Sequence, residues 1–322
     1  MSKEQTFQVK AADDDIRLDR WFKRHYPNIA QIDIQKACRK GLIRVDGVKA
    51  KPADHVKTGN AIGVKFLDLT AGKKAAPAPK PLSDSIIRET QGWVLYKSAN
   101  VIAINKPAGL AVQGGTKLKD HLDARMSALQ FEAEGQPKLV HRLDKDTSGV
   151  LLLGRSAKAA TNLSLAFAGK RMSKIYWALV VGVPEIRAGE ISGAMMKRGE
   201  DYEKMEVVDE EEAEDIKEAK EAVTSYRVIE VLGKRLSVVE LQPITGRTHQ
   251  LRVHMAQMGH PIVGDGKYGG AAAFIDGMPI SQQLHLHARR VEIRNMMGES
   301  IDVTAPLPPH MKKTFKELGI AL

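Results

Sequence analysis

Residues 67–86 read LDLTAGKKAAPAPKPLSDSI, rich in alanine, proline and lysine. Prolines at this spacing hold the backbone extended and semi-rigid, so a linker is expected over about 65–87. It divides the 322-residue chain into a small basic unit, 14–64, and a large domain, 88–322. Hydrophobic content of 43% is ordinary for a folded protein and is enough for a packed core. No stretch approaches the roughly 20 apolar residues of a membrane span. The polar start MSKEQTFQVKAADDD lacks the apolar region of a secretory signal. Cys38 is the single cysteine, so no internal disulfide forms. With no reactive motif around it, it reads as an inert helix residue in a reducing cytoplasm.

The charge is unevenly spread. Net charge is +10, yet residues 200–221 hold twelve acids against three lysines, a local −9. The remainder therefore carries +19, a balance that attracts a polyanion such as a phosphate backbone. The acidic stretch, about 199–222, interrupts two strand-like regions and is expected to be an exposed, mobile or helical insertion.

In the small unit, RLDRWFKRHYP has helical spacing of Leu18, Trp21 and Phe22 and stops at Pro27. A second helix is expected near 31–40, ending at Gly41. LIRVDGVKA then alternates like a strand pair turning at Asp46-Gly47. Residues 17–57 carry eleven Lys or Arg against four Asp. Two short helices followed by a basic hairpin suit RNA docking.

In the large domain, NVIAINKPAGLAVQ reads as strand, turn, strand. Strands are expected at 150–155, 174–182, 223–231 and 235–242. Helices are expected at 158–168, with Gly169 as a left-handed cap, at 249–259, ending at Gly259, and from about Pro309. Strands grouped antiparallel with few helices between them indicate an α+β domain with a mixed, largely antiparallel sheet.

The sharpest chemical signal is HRLDKDTSG, 141–149, abutting the apolar run VLLLGRS. Charge at the mouth of a buried strand is costly unless paired, so His141, Arg142, Asp144 and Asp146 point to a site. The plain alternative is a turn whose Asp and Ser satisfy backbone amides. The run superficially resembles a kinase H-R-D loop. The required downstream Asn, glycine loop and D-F-G are all missing, which excludes that reading. A second signal is GRTHQLRVHMAQMGHPIVGD, 246–265. On a helix, Arg247, Gln250 and His254 would share a face while Leu251 and Met255 pack inward. His249, His254 and His260 match no metal-ligand spacing and are expected to be hydrogen-bonded structural histidines. The third signal is Lys174-Ile175-Tyr176-Trp177 on a strand, which alone reads as packing or as a stacking platform for a base.

Taken together, INKPAGLAVQ, HRLDKDTSGVLLLGRS, KIYWALVVG and ITGRTHQLRVHMAQMGHPIVGDGKYG resemble the RluA family of pseudouridine synthases, over about residues 95–310. The segment LDRWF…IDIQKACRKGLIRVDGVKAKP resembles an S4 RNA-binding domain. The pair of domains resembles bacterial large-subunit rRNA synthases. The resemblance implies Asp144 as nucleophile, Tyr176 as the tyrosine stacking on uracil, and Arg252 as the arginine paired with the aspartate. Leu251 would line the pocket, and Arg142 would help displace the target base. Arg247 and His141 join the expected substrate-binding set. No metal and no cofactor are expected, since the isomerisation changes no oxidation state. The expected partner is RNA, with a monomer acting in the cytoplasm. The acidic insertion departs from the family pattern. The rival readings are a non-catalytic S4-type RNA-binding protein and a nucleobase hydrolase using Asp146 as second carboxylate.

Overall fold

The computed structural model describes residues 5–65, 81–114, 120–169, 171–198, 204–208 and 219–321. The chain divides into two compact units, Met1–Pro81 and Leu82–Leu322. Most of the expected linker, residues 66–80, lies outside the described residues. Its expected end does not hold as linker. Ser83 caps helix α3 by accepting from the Ile86 amide, and that helix belongs to the larger unit.

The smaller unit is built from strands β1 Gln5–Gln8, β2 Ile16–Arg17, β3 Ile43–Val45, β4 Val48–Lys49, β5 His55–Val56 and β6 Ala61–Val64, with helices α1 Leu18–His25 and α2 Gln31–Arg39. β1, β6, β3 and β4 form an antiparallel sheet in that order. The β3–β4 turn has positive φ at Asp46 and Gly47, the geometry a two-residue hairpin requires. Leu18, Phe22, Ile34, Ile43 and Ile62 are fully buried in a core of this unit's own. β1 was not expected; it extends the folded unit well before residue 14. Cys38 sits in the same core, and burial pushes its thiol up to about 11, which keeps it protonated.

The larger unit contains helices α3 Asp84–Gln91, α4 Ala157–Ala168, α5 Gln250–Gln257 and α6 Pro309–Glu317. Its strands are β7 Val94–Lys97, β8 Val101–Lys106, β9 Lys138–Leu139, β10 Ser148–Gly154, β11 Met172–Val181, β12 Ala188–Arg198, β13 Lys204–Val208, β14 Lys220–Leu232, β15 Leu236–Pro243, β16 Leu286–Met296 and β17 Glu299–Thr304. They form one eleven-stranded sheet, ordered β13-β12-β14-β15-β11-β16-β10-β8-β7, with β17 on β16 and β9 on β10. Every described pair in it is antiparallel except β10–β16. β10 reads VLLLG and is buried on both faces, which explains its unbroken apolar run. Gly149 opens it at φ 112°, and a Cβ there would lie 2.2 Å from the Ala288 carbonyl oxygen. Only glycine lets β16 approach the strand mouth this closely.

Three local expectations are corrected. Residues after Pro107-Gly109 form no second strand; the Ala111 and Val112 carbonyls instead accept the Leu122 and Asp123 amides of a short 3-10 helix, Leu122–Leu129. Gly169 is extended, φ −101° and ψ 178°, not left-handed. The acidic insertion is not wholly exposed or helical. Lys204–Val208 pair with Ala194–Arg198 as a sheet edge, and Met205 and Val208 are buried. Met205 packs with Met195, Ala222 and Val253 of α5, so alternating Met and Val residues override the acidic composition around them. Residues 209–218 of the insertion lie outside the described residues.

Candidate active site

One cleft of about 1340 Å³ opens in the larger unit where the three sequence signals converge. Six cationic residues line it, Arg142, Lys145, Lys174, Arg247, Arg252 and Lys267, against only Asp144 and Asp146. A cleft with that excess favours a polyanionic occupant.

The loop carrying Asp144 is pinned from beneath. β8 ends at Lys106, whose side chain is completely buried. Its Nζ donates to the carbonyls of Pro107 and Leu110 at 2.8 Å and of Lys145 at 3.0 Å. The Gly109 amide also donates to Lys145 O. Burial pushes the ammonium down to about 7, opposed by the charges of Asp146 and Asp144. The turn itself closes through the main chain, with the Thr147 amide donating to Asp144 O at 3.2 Å. Asp146 is exposed and lines the cleft beside it.

Asp144 keeps 28% of its side chain exposed, open to the cleft. Its Oδ2 lies 3.7 Å from Arg252 Nη1 and its Oδ1 3.7 Å from His249 Nε2. Arg252 therefore does face Asp144, but Asp144 is not its main partner. Its Nε and Nη2 form a two-pronged pair with Asp265 at 2.8 and 2.7 Å, fully buried. The Tyr268 ring lies beneath the guanidinium, 5.0 Å away. An arginine committed in this way offers one remaining nitrogen in a fixed direction.

Tyr176 sits at a β-bulge, where the β11–β16 register shifts between Ile175 and Tyr176. A bulge re-aims a side chain, and here Tyr176 lines the cleft. Burial, with the nearby Asp144 charge, raises its phenol well above the ordinary range. It stays neutral and is a poor proton acceptor. Leu251 is 6% exposed and supplies an apolar wall. Arg142 is exposed at the rim, with Nη1 3.4 Å from Gln113 Oε1. His141 lines the cleft, but its Nε2 accepts the Leu152 amide at 2.9 Å and its ring packs on Phe167 at 4.1 Å. Burial pushes it down to about 3, so it is neutral.

The expected shared face of Arg247, Gln250 and His254 is not formed. The helix begins only at Gln250, so Arg247 precedes it and donates through Nε to the Glu221 carbonyl. Gln250 instead fastens the helix start. Its Oε1 accepts from Thr245 Oγ1 and the Arg247 amide, and its Nε2 donates to Val223 O and Thr224 Oγ1. Of the three histidines, His249 bonds Tyr268 and His260 bonds the Val181 carbonyl. His254 is fully buried, and among the described residues neither ring nitrogen has a hydrogen-bond partner.

Sequence reasoning passed over four residues of this site. Lys106 was quoted within INKPAG but given no part, and Asp265 and Tyr268 closed the GDGKYG run unassigned. His249 is expected from sequence to be a structural histidine, with no part beside Asp144. The usable signal was an acid and a tyrosine in a glycine-rich run just after the arginine helix.

The RNA pseudouridylate synthase family profile matches residues 100–257, which hold Asp144, Tyr176 and Arg252. A relative from Rickettsia conorii, named ribosomal large subunit pseudouridine synthase C, is 36% identical over 91% of this chain and 94% of its own. This chain belongs to the RluA family of pseudouridine synthases. An Arabidopsis thaliana relative named RNA pseudouridine synthase 4, mitochondrial, is 32% identical over 96% of this chain and 81% of its own. The solved structure of human RNA pseudouridylate synthase domain containing 4 is similar at a TM-score of 0.59 and 28% identity, spanning 74% of this chain and 97% of that one. Membership makes the protein an RNA-modifying isomerase and sets aside the non-catalytic RNA-binding reading. Among the described residues, no helix is long and apolar enough to cross a membrane.

Proposed function

We propose that this pseudouridine synthase isomerises uridines of large-subunit ribosomal RNA, with Asp144 as the nucleophile. The observation that carries the reading is the carboxylate of Asp144, open to a cation-lined cleft and flanked by Arg252 and the Tyr176 ring. The relatives' names support the choice of RNA.

The reaction breaks the bond from uracil N1 to ribose C1′ and forms one from C5 to C1′. A proton leaves C5 and one is gained at N1, so atoms and electrons balance without a co-reactant. A carboxylate suits the covalent step because it adds to carbon and leaves again. Arg252 Nη1 faces one Asp144 oxygen at 3.7 Å and helps to orient it. Tyr176 stacks on the uracil, and Leu251 excludes water from its edge. The uridine must leave its stack to reach the floor of the cleft, at a cost of a few kcal/mol. Arg142, exposed at the rim, fills the vacated space, while Arg247 and Lys267 hold neighbouring phosphates. His141 shapes the wall from its backbone-bonded position. The basic smaller unit adds backbone contacts in the manner of an S4 domain and orients the enzyme on structured RNA. The protein works as a monomer in the cytoplasm, where its substrate RNA is assembled.

The experiment maps pseudouridines in total RNA from cells with and without the protein, through carbodiimide adducts that stop reverse transcription. Specific large-subunit signals vanish without it and return with wild type but not with Asp144→Asn. If the lost signals lie only in transfer RNA, the substrate assignment fails. Turnover by a clean Asp144→Asn preparation would falsify the nucleophile assignment.

A further inference from the structure

His249 immediately precedes α5 with its backbone at φ 55°. Histidine is tolerated in the left-handed region better than most residues, but the conformation still has to be held by its surroundings. Here it is held at both ring nitrogens. Nδ1 lies 2.6 Å from the Tyr268 hydroxyl and Nε2 lies 3.7 Å from Asp144 Oδ1.

The groups facing the two ring nitrogens, a hydroxyl at Nδ1 and a carboxylate at Nε2, select the tautomer. The Tyr268 oxygen accepts the Met205 backbone N–H, at 3.3 Å, from β13. The hydroxyl proton is then free to donate to His249 Nδ1, which leaves the ring proton on Nε2. The opposite tautomer would aim a lone pair at the Asp144 carboxylate. The charged groups facing the ring are Asp144 on the loop before β10, Arg252 on α5, and Lys267 and Asp265 on the loop after it. Burial lowers the imidazole from its ordinary value, with Asp144 opposing, and this favours the neutral ring.

We propose that His249 is a positioning residue for the reaction, a neutral Nε2–H donor that orients the Asp144 carboxylate, with its tautomer set by Tyr268. The inference rests on Asp144 being the nucleophile. The geometry assigns one donor to each oxygen, with His249 facing Oδ1 and Arg252 Nη1 facing Oδ2. Arg252 cannot take both, because its other two donors are committed to Asp265. Both approaches are longer than a hydrogen bond, and such contacts tighten when substrate closes a site. Through the Met205 amide, the strand of the acidic insertion also supports the site.

The test uses the full-length protein and RNA taken from cells lacking it, labelled with tritium at uracil C5. Tritium release under single-turnover conditions reads isomerisation, and a binding titration of the same RNA reads affinity. The same RNA made with 5-fluorouridine reads attack by Asp144 as a covalent adduct. His249→Ala slows both tritium release and adduct formation about 10- to 100-fold, with RNA affinity unchanged. His249→Gln, whose amide nitrogen reaches the Nε2 position, recovers most of the rate. Tyr268→Phe slows the reaction about 3- to 10-fold and has no further effect on top of His249→Ala, since it acts through that ring. Wild-type rates in His249→Ala, or additive losses in the double variant, overturn the inference. If His249→Ala does not fold, as read by thermal melting, Tyr268→Phe and His249→Gln carry the test. An active Asp144→Asn enzyme would sink the underlying nucleophile reading. An inactive Asp144→Asn with a fully active His249→Ala sinks only the part given to His249.

Discussion

Asp144 and Asp265 are two aspartates around one arginine with opposite fates. Asp265 is 1% exposed and carries both prongs of the Arg252 pair, while Asp144 is open to the cleft. Their substitutions should therefore separate. Asp144→Asn leaves packing intact, so turnover falls by a factor of about 1000 or more, while RNA affinity and thermal stability stay near wild type. Asp265→Ala leaves a buried guanidinium without its partner, which destabilises the fold by about 3–5 kcal/mol in denaturant melts and removes activity as well. Equal stability losses in the two variants would contradict this division.

At the level of elements, the site depends on two devices that hold loops against the sheet. Lys106, at the end of β8, ties three carbonyls together and carries the Asp144 loop on one of them. Lys106→Met should cost about 2–4 kcal/mol by chemical denaturation, because buried carbonyls lose their donor, and should slow turnover by loosening Asp144. Gly149 lets β16 pass the mouth of β10. Gly149→Ala combines an unfavourable φ with a Cβ driven into the Ala288 carbonyl, so a loss of about 2–4 kcal/mol is expected in the same assay. β13 works in the opposite sense to its composition. Its buried Met205 faces α5, so Met205→Asp should destabilise the fold in the same assay.

For the whole molecule, acid sensitivity follows from buried neutral histidines. His285 and His287 are completely buried, and burial pushes each down to about 4. Unfolded histidine titrates near 6.5. Between these values the unfolded chain binds more protons than the folded one, so stability falls as pH falls. The contribution is intact above about pH 6.5 and is lost progressively toward pH 4, roughly 2–3 kcal/mol for each residue. Melting temperature followed across that range should decline accordingly. A flat profile would show that these histidines accept protons without unfolding. Separately, removal of residues 1–80 should weaken RNA binding and reduce its salt dependence, since nine of the eleven Lys or Arg in 17–57, all but Arg17 and Arg24, lie outside the described ion pairs.

Local chemistry made much of this legible without coordinates. Helices α1 and α2, the Asp46-Gly47 hairpin, the buried run of β10 and the Gly259 end of α5 follow from short-range periodicity and turn geometry, which act within a few residues. The HRLD loop stood out because charge beside an apolar strand is costly, and its family resemblance named Asp144, Tyr176 and Arg252. Other features depend on distant partners. β13 was hidden because composition reports average solvation, while pairing with β12 and packing on α5 select individual side chains. Lys106 has no local signal of its role, which comes from three carbonyls of two loops that the fold brings around it. That Arg252 forks onto Asp265 and shares Asp144 with His249 is a decision of tertiary structure. An ion pair forms with whichever acid the fold buries beside it, and burial is a property of the assembled chain rather than of any segment.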